Sequence, residues 1–154
     1  MELFGIKLLE LTSLLFFTNF FHNTWHKEYP YAWLMLLLTI SSFLIHSDIF
    51  ITKHESLEFY NKLILLERFI ILSIIIYGGY LFWKTNLFIK TSFIPISTFL
   101  SIVYMYCVGY FQNIYSFDSN IDKANLSHGA IHILGCLGHH MVMYEYGKLH
   151  TMDT

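Results

Sequence analysis

Charge is scarce in this chain. Only 13% of its 154 residues are Asp, Glu, Lys or Arg, against roughly 25% in an ordinary soluble domain. None at all occurs between Ala124 and Tyr144. With 55% hydrophobic and 19% aromatic residues, the composition excludes a water-soluble domain. The few charges nearly cancel: a net charge of -2 offers no basic face, which excludes nucleic acid as a partner. Cysteine is limited to Cys107 and Cys136, each inside an apolar run and without CxxC spacing. They read as small packing residues and carry no information on redox compartment. No cleavable signal peptide is expected, because Lys7 and Glu10 interrupt the first apolar run and no small-x-small site follows it. Linkers, repeats and low-complexity stretches are missing as well, so residues 1–154 are expected to form a single domain.

What the chain does have is long apolar runs. A membrane crossing needs about 20 apolar residues, and five candidates occur. The first, roughly Leu8 to Phe21, is interrupted by Glu10, Thr12, Ser13 and Asn19 and ends in a polar, aromatic string, His22 to Pro30. Trp25, Tyr29, Tyr31 and Trp33 have the look of an interfacial aromatic belt. The second span runs from about Tyr31 to His46, with Pro30 just before its first turn. Ser47 to Asn61 reads as a polar loop. A third span runs from near Lys62 to Trp83, followed by a short loop, Lys84 to Lys90. The fourth covers about Ser92 to Phe111, with Pro95 tolerable near its start. Gln112 to Asn125 is a second polar loop, and the fifth span ends near Tyr146-Gly147, where glycine can cap a helix. The expected fold is all-α: a polytopic, integral membrane helix bundle of about five transmembrane helices. Basic residues divide almost evenly between the two faces, leaving orientation open.

The fifth span holds the chemistry. Leu126-Ser-His-Gly-Ala-Ile-His-Ile-Leu-Gly-Cys-Leu-Gly-His-His140 puts four histidines in an uncharged run. His128 and His132 are four apart, hence one turn above each other on one helix face, with both imidazoles able to reach one metal ion. An ionisable residue inside a span is costly and usually functional. With five spans, the end of the second, the start of the third and the start of the fifth share one membrane face. His46, Glu67 and the His128–His132 pair therefore converge at one depth. Three neutral imidazoles and an open position are the ligand count of a catalytic zinc. Glu67 can orient a ligand or act as general base, and Ser42, one turn before His46, can donate a hydrogen bond there. The plainer alternative for Glu67 is a surface ion pair with Arg68 at a helix start. His139 and His140 lie two to three turns deeper and are expected to pack or hydrogen-bond. His22, His26, His54 and His150 are expected to be solvated loop or terminal residues.

At these residues the sequence resembles the superfamily of alkaline ceramidases, progestin and adipoQ receptors and hemolysin III proteins. Ser42-Phe-Leu-Ile-His46 is similar to its Ser-x-x-x-His, Leu66-Glu67-Arg68 to its Leu-Asp element with Glu for Asp, and His128-Gly-Ala-Ile-His132 to its HxxxH. Ile133 and Gly138 also follow its last-span pattern. The resemblance implies His46, His128 and His132 as zinc ligands, Glu67 and Ser42 beside the reacting water, and hydrolysis of a lipid amide or ester. The family has seven spans. This chain has room for about five, the shortfall falling between the third span and the last.

Two other classes compete. One is a membrane subunit of a respiratory-chain complex, in which histidines on different spans ligate haem b and Gly135 or Gly138 lets the macrocycle approach the backbone. Gly138-His-His-Met-Val-Met-Tyr-Glu-Tyr146 resembles, faintly, a stretch of succinate dehydrogenase anchor subunits. The other is a structural accessory subunit whose histidines only hydrogen-bond. Expected partners are membrane lipid and other membrane subunits, since few polar contacts hold five such helices together.

Overall fold

The computed structural model describes residues 2–47, 57–85 and 93–152. Among them the protein is all-α, with helices α1 (Glu2–Ser13), α2 (Phe16–Trp25), α3 (Tyr29–His46), α4 (Leu57–Lys84), α5 (Phe93–Gln112) and α6 (Ile121–Met152), and one 3-10 turn at Tyr115–Phe117. Three stretches, Tyr29–His46, Glu58–Lys84 and Phe93–Phe117, are long and apolar enough to cross a membrane. The expected first and fifth spans fall short of that standard for identifiable reasons. The first is broken in two by a turn at Leu14-Leu15. There Thr12 and Ser13 both turn their hydroxyls back onto the Leu9 carbonyl, at 3.2 and 2.8 Å, the back-bonding that bends helices. The fifth is long, but its apolar residues are diluted by five histidines, Asp122, Lys123, Glu145 and Lys148.

Helix boundaries depart from expectation where loops looked polar. Helix α4 begins at Leu57, not near Lys62, and its first turns carry a Glu58–Lys62 ion pair of 2.6 Å at helical spacing. Helix α6 begins at Ile121, where Asp122 suits the positive end of the dipole. It also runs through Gly147 to Met152 instead of ending there. His54, and the loop expected from Lys84 to Lys90 beyond Thr85, lie outside the described residues.

Side-chain pairs give the direction of each helix. Leu8 lies against Gly129, Phe16 against Gly135 and His26 against Gly147, so α1 and α2 run parallel to α6. Tyr31 meets His139 while His46 meets His128, making α3 antiparallel to α6. Thr98 faces Gly138 and Ile102 faces Gly135, making α5 antiparallel as well. Gly138 permits that approach: a Cβ there would come within 2.6 Å of Thr98 Oγ1.

The core joins Phe16, Tyr31, Met35, Ile70, Ile74, Leu81, Cys136, Val142, Met143 and Tyr146. Tyr31, expected in the interfacial belt, is instead fully buried, whereas Trp25, Tyr29 and Trp33 are exposed as expected. Outward faces of α4 and α5 are apolar: Leu65, Phe69, Ile76, Phe93, Leu100 and Tyr104 are all more than half exposed. Such continuous apolar surface needs a non-aqueous surrounding.

A candidate three-histidine metal site

One end of the bundle brings His46, His128 and His132 together. Helix periodicity alone stacks His128 on His132, with ring centroids 4.8 Å apart. The antiparallel packing of α3 then delivers His46 from its last turn, 4.9 Å from His128 and 5.4 Å from His132. One nitrogen from each ring lies within 4.8 Å of the others, a group able to hold a metal ion. His132 is buried and the other two are half-buried.

Two observations bear on whether these rings suit a metal. The Nε2 atom of His46 is buried and has no hydrogen-bond partner, a cost that a bound cation would remove. His132 Nδ1 lies 3.1 Å from Thr12 Oγ1. Thr12 has one proton and directs it to the Leu9 carbonyl, so its oxygen accepts from His132 Nδ1–H. That leaves the His132 Nε2 lone pair free, the arrangement by which neighbours orient metal-ligating histidines. The edge of Phe16 packs on His132 at 5.6 Å, holding the ring from the other side.

Ser42 lies one turn before His46 on α3, and Glu67 of α4 contacts Ser42. Ser42 is buried, and its Oγ is 3.1 Å from Ser13 Oγ. The half-buried Glu67 side chain is in polar contact with Ser42. Arg68 points outward, so Glu67 turns toward Ser42 and the bundle. Among the described residues no hydrogen bond joins Glu67 directly to the three imidazoles; its contact on α3 is Ser42, one turn before His46.

In the sequence Thr12 and Ser13 read only as polar interruptions of the first apolar run. Their signal is a stripe at helical spacing: Leu9, Thr12, Ser13, Phe16, Asn19 and Asn23 are all buried. His139 and His140 behave as expected and hydrogen-bond away from the site, His139 to Tyr31 and His140 to Thr18 and His22. His22 and His26 do not: both lie on or at the end of α2, half-buried. Cys136 is buried and Cys107 exposed, both free, and Asn19 Nδ2 donates to the Cys136 carbonyl at 3.3 Å.

No protein-family model, curated protein or solved structure matches this chain.

Proposed function

We propose that the protein is an integral, multi-pass membrane hydrolase that uses zinc at His46, His128 and His132 to cleave a lipid amide or ester. The convergence of those three imidazoles from two helices, with one buried nitrogen left unpartnered, carries the reading. All three ligands are borderline nitrogen donors, the class that zinc accepts. Zinc held there supplies Lewis acidity toward a carbonyl and toward water. The chain's own residues do the rest. Thr12 fixes the tautomer and direction of His132. Glu67 accepts a proton from the attacking water and returns one to the leaving group. Ser42 holds the Glu67 carboxyl in place through its hydroxyl. The apolar outer faces of α4 and α5 suit a bilayer, from which a lipid substrate can enter sideways between helices.

This reading keeps the five-helix arrangement, with α1–α2 and α6 as the two most polar members, lining one another inside the bundle. It also favours zinc over haem. The helix faces at Gly135 and Gly138, where a macrocycle would need to lie, are covered by Phe16 and Thr98.

The test is release of fatty acid from a fluorescent N-acyl sphingoid base and from an acyl ester in mixed micelles, by zinc-loaded protein and by His128→Ala. Turnover of either substrate that disappears in the variant is expected. No release of fatty acid from either by metal-loaded wild-type protein overturns the hydrolase assignment.

A further inference from the structure

Helix α4 carries one charge that the protein itself does not balance. Glu58–Lys84 is the most apolar of the three stretches long enough to cross a membrane. Lys62 and Lys84 stand 22 residues apart on it, about 33 Å of helix, which matches the hydrocarbon thickness of a bilayer, about 30 Å. Tyr80 and Trp83 are exposed at the far end, with Lys84 Nζ 4.5 Å from the Tyr80 ring centroid, the aromatic and basic make-up of a membrane–water boundary. Lys62 marks the other boundary. Arg68 lies six residues further in, about 9 Å below it.

Arg68 is exposed at that depth, among Leu65, Leu66, Phe69 and Leu72, each more than half exposed. Its neighbour Glu67 is half-buried and contacts Ser42 of α3. Among the described residues no hydrogen bond or ion pair holds the Arg68 guanidinium. A cation facing hydrocarbon is costly unless it reaches water or an anion. The helix fixes the direction in which it can reach. Side chains lean toward the helix N-terminus, so Arg68 can extend back toward Lys62 and the boundary.

Spacing brings the two cations to one place. Lys62, Leu65 and Arg68 follow one another at three-residue intervals, a single ridge of the helix surface. With Leu66, Phe69 and Leu72 they line one open groove of about 610 Å³. The groove is basic toward the boundary and apolar below it. Lys62 gives one proton to Glu58 at 2.6 Å, an exposed pair of little strength, and its ammonium has two N–H donors left. Glu58 offsets part of the Lys62 charge, so Arg68 carries the larger share. A guanidinium binds a phosphate through two parallel hydrogen bonds, and lipid phosphates lie just outside the hydrocarbon.

We propose that this face of α4 binds an anionic phospholipid, with the phosphate held by Arg68 and Lys62 and an acyl chain laid along Leu65, Phe69 and Leu72. A zwitterionic headgroup is disfavoured, because its own cation would stand against the same two basic groups. The site does not depend on the hydrolase reading.

Native mass spectrometry of the full-length chain in detergent micelles, offered equal amounts of dioleoylphosphatidylglycerol and dioleoylphosphatidylcholine, tests this. Wild-type protein is expected to hold phosphatidylglycerol with about tenfold preference, and Arg68→Gln to reduce that to about threefold or less. Lys84→Gln removes the same charge from the other end of α4 and should leave the preference unchanged. Glycerol phosphate, which has the phosphate but no acyl chains, should not displace the lipid even in large excess. Equal binding of the two lipids by wild-type protein overturns the site, as does an unchanged preference in Arg68→Gln. Equal losses in Arg68→Gln and Lys84→Gln show a general attraction of charge and overturn it too. Displacement by glycerol phosphate refutes a lipid as the occupant. Arg68 is exposed, so its replacement leaves the core intact, and the wild-type preference needs no variant to fold.

Discussion

Removing one methyl-sized oxygen, by Thr12→Val, should weaken zinc binding without touching a ligand. Valine keeps the shape of threonine, so the contact of Thr12 with the Gly129 backbone region is retained. What disappears is the acceptor for His132 Nδ1–H, now at 3.1 Å. Without metal, His132 can move its proton to Nε2 and lose little. With metal, Nε2 is committed, and Nδ1–H is trapped in a ring that is 5% exposed. An unpaired buried donor costs about 1–3 kcal/mol. Loss of a residue orienting a metal ligand typically costs about 10–100-fold in affinity, or roughly 1.4–2.7 kcal/mol. The two estimates agree, and both fall on the bound state. The assay is competition with a chromophoric chelator in detergent micelles, beside a thermal melt of the metal-free protein. Zinc affinity should fall about 10–100-fold with the metal-free melt nearly unchanged, and Thr12→Ser should restore most of it. Unaltered affinity in Thr12→Val refutes the assignment of Nε2 as the ligand atom and Thr12 as its orienter.

Three further outcomes follow from the same geometry. Glu67→Gln should keep its place beside Ser42 and leave zinc stoichiometry unchanged while lowering lipid hydrolysis by about 10²–10⁴-fold; metal analysis and fatty-acid release check both halves. Zinc should dissociate as pH falls, because ligation needs neutral imidazole and protons compete for the same lone pairs. Affinity measured by chelator competition should fall as the pH is lowered and recover when neutral pH is restored. Gly138→Ala should destabilise the protein by about 1–3 kcal/mol through the clash with Thr98, read as a lower melting temperature. Adding Thr98→Ala should recover most of the loss, since the two changes share one contact.

The central helices were legible because their signal is long-range and redundant. Tyr29–His46 and the body of α4 and α5 are apolar on every face, and only a helix satisfies its own backbone in such a run. The three metal-type histidines were legible through parity and the i,i+4 rule, neither of which depends on side-chain detail. What stayed hidden depends on packing between helices. His22 and His26 sit in a polar, aromatic string before Pro30, which reads as a loop. They are held on α2 because its buried face, Phe16, Asn19 and Asn23, docks along α6. Gly147 reads as a helix end, yet no described glycine has positive φ. Its missing side chain serves the His26 ring, not a cap. Tyr31 reads as an interfacial aromatic, but its hydroxyl reaches His139 and its ring stacks on Tyr77 at 5.4 Å, contacts set by two other helices.

Metal and haem content of the detergent-purified chain tests the central claim most directly, by elemental analysis beside an absorption spectrum on wild-type protein and His128→Ala. The account predicts one tightly held zinc per wild-type chain, no Soret band, and loss of that zinc from a variant that still inserts into membranes. Stoichiometric tight metal retained in His128→Ala contradicts the assignment of His46, His128 and His132, and a Soret band without zinc contradicts the hydrolase reading as a whole.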